Sequence, residues 1–483
     1  MLSKYFKLFG GTQKKNRVVP NASAHASEPA LDAIVPLLNT PPSAAASVGR
    51  VVDTTAANAV VSDVLPIDTH GRRTQVSDLL KRFLGRQPVL EADGRTLGYE
   101  LRLKKSPPPG APSGPTLMQM MDEMLLASLL DLNIHALRGG RQIFLPLSVH
   151  TLDSGFLTRL AGEGLVLALR PEGDMAALAT RLAELKRMGY AIALDEPTLD
   201  AATRPLLKLA DFLRVDAHGR DAIALGEFAV AALKQSRARL VATHVDVEEL
   251  FEVCRKLGFK AFQGYSFTRL ESTQGARLNP QRLRIMELIN LTVSRAEIED
   301  IEAVFKRDAA LAYNLLRYIN SAANGLMQPV RSIGHALMVL GYDQLYRWLT
   351  LLLFASGEPD FRSLALMRTA LVRGRFAELL GQPRLAPEAR GGLFIVGMFS
   401  LLDALLNLPM KQALAGLKLP GEIAQALLER EGPYAPYLEL VLATEEGEAH
   451  ILETYAAVCG IEARELNEAH AQALLWADQV ALA

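Results

Sequence analysis

A chain of 483 residues with 52 basic and 53 acidic side chains carries a formal net charge of -1, which excludes a protein that coats nucleic acid through a basic surplus. A hydrophobic fraction of 49% supports a sizeable core, and the length suits about three domains, or two when one is a barrel of up to ~250 residues. The two cysteines, Cys254 and Cys459, lie far apart in apolar-periodic segments, so they are expected as core side chains in a reducing compartment without a disulfide framework.

Taken in order, residues 1–81 are rich in Ala, Ser, Pro, Thr and Asn without a sustained period and are expected to be a disordered tail. Met1 to Gly10 holds basic and aromatic residues but no leader-like apolar core. No stretch reaches the ~18 apolar residues of a membrane span, so the expected location is the cytoplasm with no stable membrane insertion.

The next segment, 82–273, opens with Phe83 to Gly94, whose Asp93-Gly94 pair predicts a hairpin. Gly98 to Lys104 then reads as the first strand of a barrel, with Glu100 among apolar and basic neighbours. Short apolar runs follow at Ile143, Leu165, Tyr190, Phe212 and Leu240, separated by helical stretches such as Met175 to Met188 and Val247 to Leu257. That alternation predicts a parallel sheet closed into an α/β barrel of TIM type. Met118, Met120, Met121 and Met124 are expected on one packed helix face, and Pro107 to Gly110 in a surface loop.

From about Leu278 the pattern turns helical, and 278–483 is expected to be an all-α domain able to fold alone. Ser294 and Glu297 are spaced as a capping box, with Ile298, Ile301 and Phe305 at helical spacing. A second helix from Asp308 places Leu311, Leu315, Leu316 and Ile319 inward and ends in Asn320 to Gly325. A third has Ser332 as its cap, Ile333, Ala336, Leu337 and Leu340 on one face, and Gly341 after its end. His335, His450 and His470 are expected at the surface or as caps.

Glu100 to Lys104 occupies the five places of the Glu-Ala-Leu-x-Arg motif, and Phe83 to Lys104 resembles the opening of the EAL family, whose active members hydrolyse cyclic di-GMP. Arg307-Asp308, Leu315 to Ala322, Ser332 to Ala336 and Leu340-Gly341 resemble the HDOD domain, a relative of the HD phosphohydrolases. Gly397 to Leu406 resembles the version found behind an EAL barrel. Together, 82–483 resembles an EAL-HDOD signalling protein.

The resemblance implies a divalent-metal site at one barrel end, and it maps residue by residue. Glu100, Asp195, Glu196, Asp216 and Gln263 are remnants of the pattern, and Gln263-Gly264-Tyr265 keeps a late motif. Pro146, Ala168 and Thr243 stand where the pattern has oxygen ligands, and Arg214 replaces a lysine; an arginine cannot give up its proton. The remaining acids are expected to pair with Arg102, Arg170 or Arg214. None of the nine histidines precedes an aspartate, and Phe399-Ser400 occupies the place of the His-Asp pair of HD enzymes. The expectation is a degenerate EAL-type phosphodiesterase site with no catalytic, cofactor or metal residues, in a non-catalytic adaptor that binds a protein partner through its helical domain and no nucleic acid. The alternative is a cyclic di-GMP phosphodiesterase or effector with an altered metal site.

Overall fold

The computed structural model describes residues 83–104, 114–132, 134, 140–264, 279–320, 328–356, 361–445 and 449–482. The expected tail at 1–81, the Pro107 to Gly110 loop, the segment from Ser321 to Gly325 and Tyr265 lie outside the described residues.

Eight strands close into a barrel in chain order: β1 (Phe83–Glu91), β2 (Thr96–Lys104), β3 (Gln142–Pro146), β4 (Leu165–Leu169), β5 (Ala191–Asp195), β6 (Phe212–Asp216), β7 (Arg239–Thr243) and β8 (Ala261–Phe262). β1 runs antiparallel to both of its neighbours and the other pairings are parallel. Glu100 therefore lies on the second strand, not the first, because the hairpin that precedes it supplies a strand of its own. Among the described residues, six α-helices accompany the barrel: α1 (Pro115–Asp131), α2 (Gly155–Arg159), α3 (Met175–Arg187), α4 (Arg204–Leu209), α5 (Ala222–Gln235) and α6 (Glu248–Lys256). On α1, Met124 is buried while Met118 is 58% exposed, so the expected methionine face is packed only in part.

The second half comprises α7 (Pro280–Val293), α8 (Ile298–Lys306), α9 (Ala309–Ile319), α10 (Ile333–Ala355), α11 (Phe361–Gly381), α12 (Pro387–Phe399), α13 (Leu402–Leu406), α14 (Met410–Ala415), α15 (Gly421–Leu428), α16 (Ala435–Glu445), α17 (Ala449–Cys459) and α18 (Ala463–Leu482). Asp308 caps α9 by accepting from Ala310 N and Leu311 N, and Ser332 caps α10 by accepting from His335 N. Leu311, Leu315, Ile319, Ala336 and Leu337 are buried as the helical spacing requires.

Other local expectations are corrected. The Ser294 to Glu297 box does not form: Ser294 ends α7, its Oγ donating to Asn290 O at 2.7 Å, and Glu297 makes no side-chain cap bond to α8. Gly341 stands as expected: at φ 70° and ψ 170° it is non-helical and divides Ile333–Ala355 into two helices, the first ending before it. His470 is neither superficial nor a cap. It is buried and stacked on Phe376 at 4.4 Å, and burial, aided by Arg86, holds it neutral by lowering its pKa well below the ordinary value.

The hairpin also explains how the halves meet. A βα unit lays a helix over its own strands, but β1 is joined to β2 by a turn, so the outer face of this pair needs a cover from elsewhere. Helices α11, α16 and α18 supply it. Phe361 of α11 stacks on Phe251 of α6 at 4.0 Å, and Ala365 packs on Leu90. Leu84 N donates to Asn467 Oδ1 at 3.0 Å. Gly94, at φ 81°, turns so close to the Phe361 backbone that an added Cβ would meet Phe361 O at 2.8 Å. Leu84, Tyr99 and Leu101 belong to the same packed cluster as α11 and α18, whereas Val89, Phe144, Val166, Ala168, Ala193, Phe212, Val241 and Ala261 form a separate core inside the barrel. A fragment beginning at Leu278 would expose that covering face. It is expected to melt at a lower temperature than the full chain and to self-associate in sedimentation; a monomeric fragment with an unchanged melting point would show that the contact adds nothing to helical stability.

Candidate functional site

The inward side chains at the carboxyl ends of the strands define the site, because alternation along each strand sends every second residue into the barrel. Phe144 and Phe212, edge to face at 5.2 Å, fill the interior. Two residues beyond Phe212, Arg214 points inward above this floor and is 5% exposed; Glu100 is 1% exposed.

Arg214 is the hub. Its Nη2 donates to Glu100 Oε2 at 2.5 Å and to Gln263 Oε1 at 3.3 Å, while its Nε lies 3.2 Å from Asp195 Oδ1 as an ion pair whose N–H is not aligned on the oxygen. Its Nη1 is buried without an acceptor. The other oxygen of Glu100 accepts from Arg102 Nε at 2.5 Å. Burial would raise the Glu100 carboxyl, but Arg214 and then Arg102 outweigh it and hold the group below the usual carboxylate range. At Asp195 burial dominates over the attraction of Arg214, and its pKa is raised.

The structure thus gathers Glu100, Asp195 and Gln263 around one guanidinium. Glu196 and Asp216 are engaged elsewhere. Glu196 adopts φ 49°, and its carboxylate accepts from Asp216 N at 2.5 Å and from Arg220 Nη2. Asp216 Oδ1 lies 3.1 Å from His244 Nδ1, on a residue that also has positive φ, 53°. The expected pairing of the acids with Arg102, Arg170 or Arg214 therefore holds for Glu100 and Asp195 and is corrected for Glu196 and Asp216, because left-handed turns after β5 and β7 direct these groups along the rim.

The substituted positions fall where strand counting puts them. Pro146 pairs with Ala168 across β3 and β4, and Ala168 with Ala193 across β4 and β5. Ala168 is 1% exposed and presents a methyl. Thr243 pairs with Asp216, and its hydroxyl donates to Val215 O at 3.3 Å. Ser400 of the helical half accepts from Arg373 Nη1 at 3.0 Å and donates to Gly397 O. Among the described residues no three His, Cys, Asp or Glu side chains are grouped as a metal would require, and no helix is long and apolar enough to cross a membrane.

Three contributors were not anticipated: Gln87, Arg220 and His244. Gln87 faces Glu100 in the hairpin register, and its Oε1 accepts from Gln263 Nε2 at 2.8 Å. Counting back from Asp93-Gly94 is the signal that leads to it, but a bulge between Val89 and Leu90 shifts that count by one. Arg220 and His244 lie in loops whose conformation no periodicity reports.

Residues 278–402 match the family model of the HDOD domain. Over 405 residues the chain is 27% identical to a protein of Vibrio cholerae named cyclic di-GMP phosphodiesterase CdgJ, a match covering 82% of this chain and 93% of that one. It is also 27% identical over 381 residues to the uncharacterized protein YuxH of Bacillus subtilis, covering 75% and 90% of the two chains. Among solved structures, the Bacillus subtilis YkuI protein, with an EAL domain, in complex with cyclic di-GMP and calcium, is similar at 16% identity over 50% of this chain and 73% of that chain, with a TM-score of 0.33.

Proposed function

From an EAL-HDOD signalling architecture, a closed barrel followed by an HDOD domain and related to a protein named as a cyclic di-GMP phosphodiesterase, we propose a non-catalytic adaptor that acts in the cytoplasm and binds a protein partner through its helical half. The observation that carries this reading is Arg214, whose guanidinium is held by Glu100 at 2.5 Å and Asp195 at 3.2 Å at the centre of the barrel mouth. The divalent metals of the EAL pattern do not fit this donor set. Both Glu100 oxygens already accept from guanidinium groups, and Pro146 and Ala168 carry no side-chain oxygen. A permanently charged group beside the one retained glutamate also repels an incoming cation. We place the domain limits at 82–273 for the barrel and 278–483 for the helical half.

One observation favours a second reading, a cyclic di-GMP effector. Arg214 Nη1 is buried without an acceptor and offers a donor to a phosphate oxygen. Calorimetry on the full chain separates the readings. The adaptor gives no heat with magnesium or manganese, alone or with cyclic di-GMP. Metal-independent binding of the nucleotide establishes the effector, and binding of both metal and nucleotide overturns the degenerate site.

A further inference from the structure

On β1, Gln87 points to the barrel mouth, and its neighbour Arg86 points the opposite way, beneath the covering helices. Arg86 is 5% exposed. Its Nη2 donates to Asn467 O at a long 3.4 Å, and its buried Nη1 has no partner. Asp478, the carboxylate in the same region, is shared by Arg141 at 3.3 Å and Arg368, and Arg86 forms no ion pair with it. Glu445 is likewise taken, by Arg373 at 2.7 Å. A buried guanidinium without a counter-charge is strongly disfavoured, and burial pulls the Arg86 pKa down to about 10, opposed by Tyr99.

Arg86, Tyr99, Arg368 and His470 line a cavity of about 40 Å³ beside this group, together with Glu445, whose carboxylate is held by the Arg373 guanidinium. Tyr99 Oη accepts from Arg368 at 3.2 and 3.3 Å, which leaves its own O–H to donate, and His470 Nδ1 is buried without a partner. A water needs roughly 10–15 Å³ of such space, so the cavity holds a monatomic ion with a water and is too small for a nucleotide.

We infer that this cavity, between the barrel and the helical domain, binds a small monovalent anion of chloride's size, held by Arg86 and Tyr99 as the counter-charge that the protein itself does not supply. The site lies on the outer side of β1 and is independent of the barrel mouth and its reading.

The test uses the full chain at constant ionic strength, with potassium gluconate replaced stepwise by potassium chloride. The melting midpoint is expected to rise with the logarithm of the chloride concentration above Kd, by on the order of 5 °C at a hundredfold excess, and Arg86→Met is expected to abolish the dependence. A midpoint indifferent to the anion, or an equal rise in R86M, overturns the inference. Should R86M fail to fold, crystals of the unaltered protein grown in bromide decide: an anomalous peak beside the Arg86 guanidinium supports the site, and its absence there overturns it.

Discussion

Replacing Glu100 with glutamine is expected to lower the stability of the full chain by about 3–5 kcal/mol, the usual cost of removing one partner of a buried ion pair. The cost arises because the Arg214 guanidinium, 5% exposed, keeps its charge and loses the carboxylate that accepts its shortest hydrogen bond. Asp195 does not compensate, since its own burial raises its pKa and its contact with Arg214 Nε is not aligned. Removing both charges, as in Glu100→Gln with Arg214→Met, is expected to restore most of the loss, because an apolar replacement leaves no buried ion unpaired. Urea midpoints with unchanged slopes measure both. The pH dependence has a definite sign. The Glu100 carboxyl is held below its usual range, so its contribution is complete at neutral pH and is lost as the pH falls below about 4.3 and through the lowered native value. E100Q should be flatter than the unaltered protein in that window. A loss under ~1 kcal/mol would mean that Arg214 does not depend on Glu100.

Asp478→Asn is expected to have an effect of similar size, about 3–5 kcal/mol, by the same mechanism at a different place. Its carboxylate, 6% exposed, is the shared partner of Arg141, on the loop before β3, and Arg368, on α11. Arg368 also donates to Tyr99 of β2. Loss of the charge therefore strands two guanidinium groups where α11 and α18 cover the hairpin. Beyond the lower urea midpoint, trypsin should cut between the barrel and the helical half faster than in the unaltered protein. Unchanged cleavage with a lowered midpoint would confine the damage to α18.

Much of this architecture was legible because it rests on local signals. The Asp93-Gly94 turn, the alternation of Leu165 to Leu169 and Tyr190 to Asp195 with α3, and the caps Asp308 and Ser332 each act over a few residues and leave a trace in the order of side chains. The positions Glu100, Pro146, Ala168, Asp195, Arg214 and Thr243 came from matching a known pattern, which names residues but not the contacts they make. What the sequence did not disclose is set by contacts between distant segments. Nothing local to Arg214 says that it takes both Glu100 and Gln263, 114 and 49 residues away. His470 was expected at the surface or as a cap because nothing near it in the sequence groups with it, and its burial against Phe376 and Arg86 comes from distant segments. The left-handed turns at Glu196 and His244 are conformations that their side chains do not call for, so Arg220 and the rim pairing stayed hidden. The Ser294 to Glu297 spacing matched a box, but α7 extends to Val293 and claims the serine for its own end.

The proposed degenerate site places Arg214 where the EAL pattern requires metals, so hydrolysis of cyclic di-GMP is the reaction it should fail to support. Purified full-length protein is incubated for hours with cyclic di-GMP and millimolar manganese or magnesium beside Glu100→Ala, and linear and mononucleotide products are measured. The loss of even one group that supports a metal ligand typically costs ~10 to ~100-fold in affinity or activity, and in the proposed degenerate site Pro146, Ala168 and Thr243 stand in place of oxygen ligands of the pattern while Arg214 holds Glu100. Product at the background level of buffer is expected in both proteins; metal-dependent turnover that disappears in E100A would show a working metal site and overturn the degenerate one.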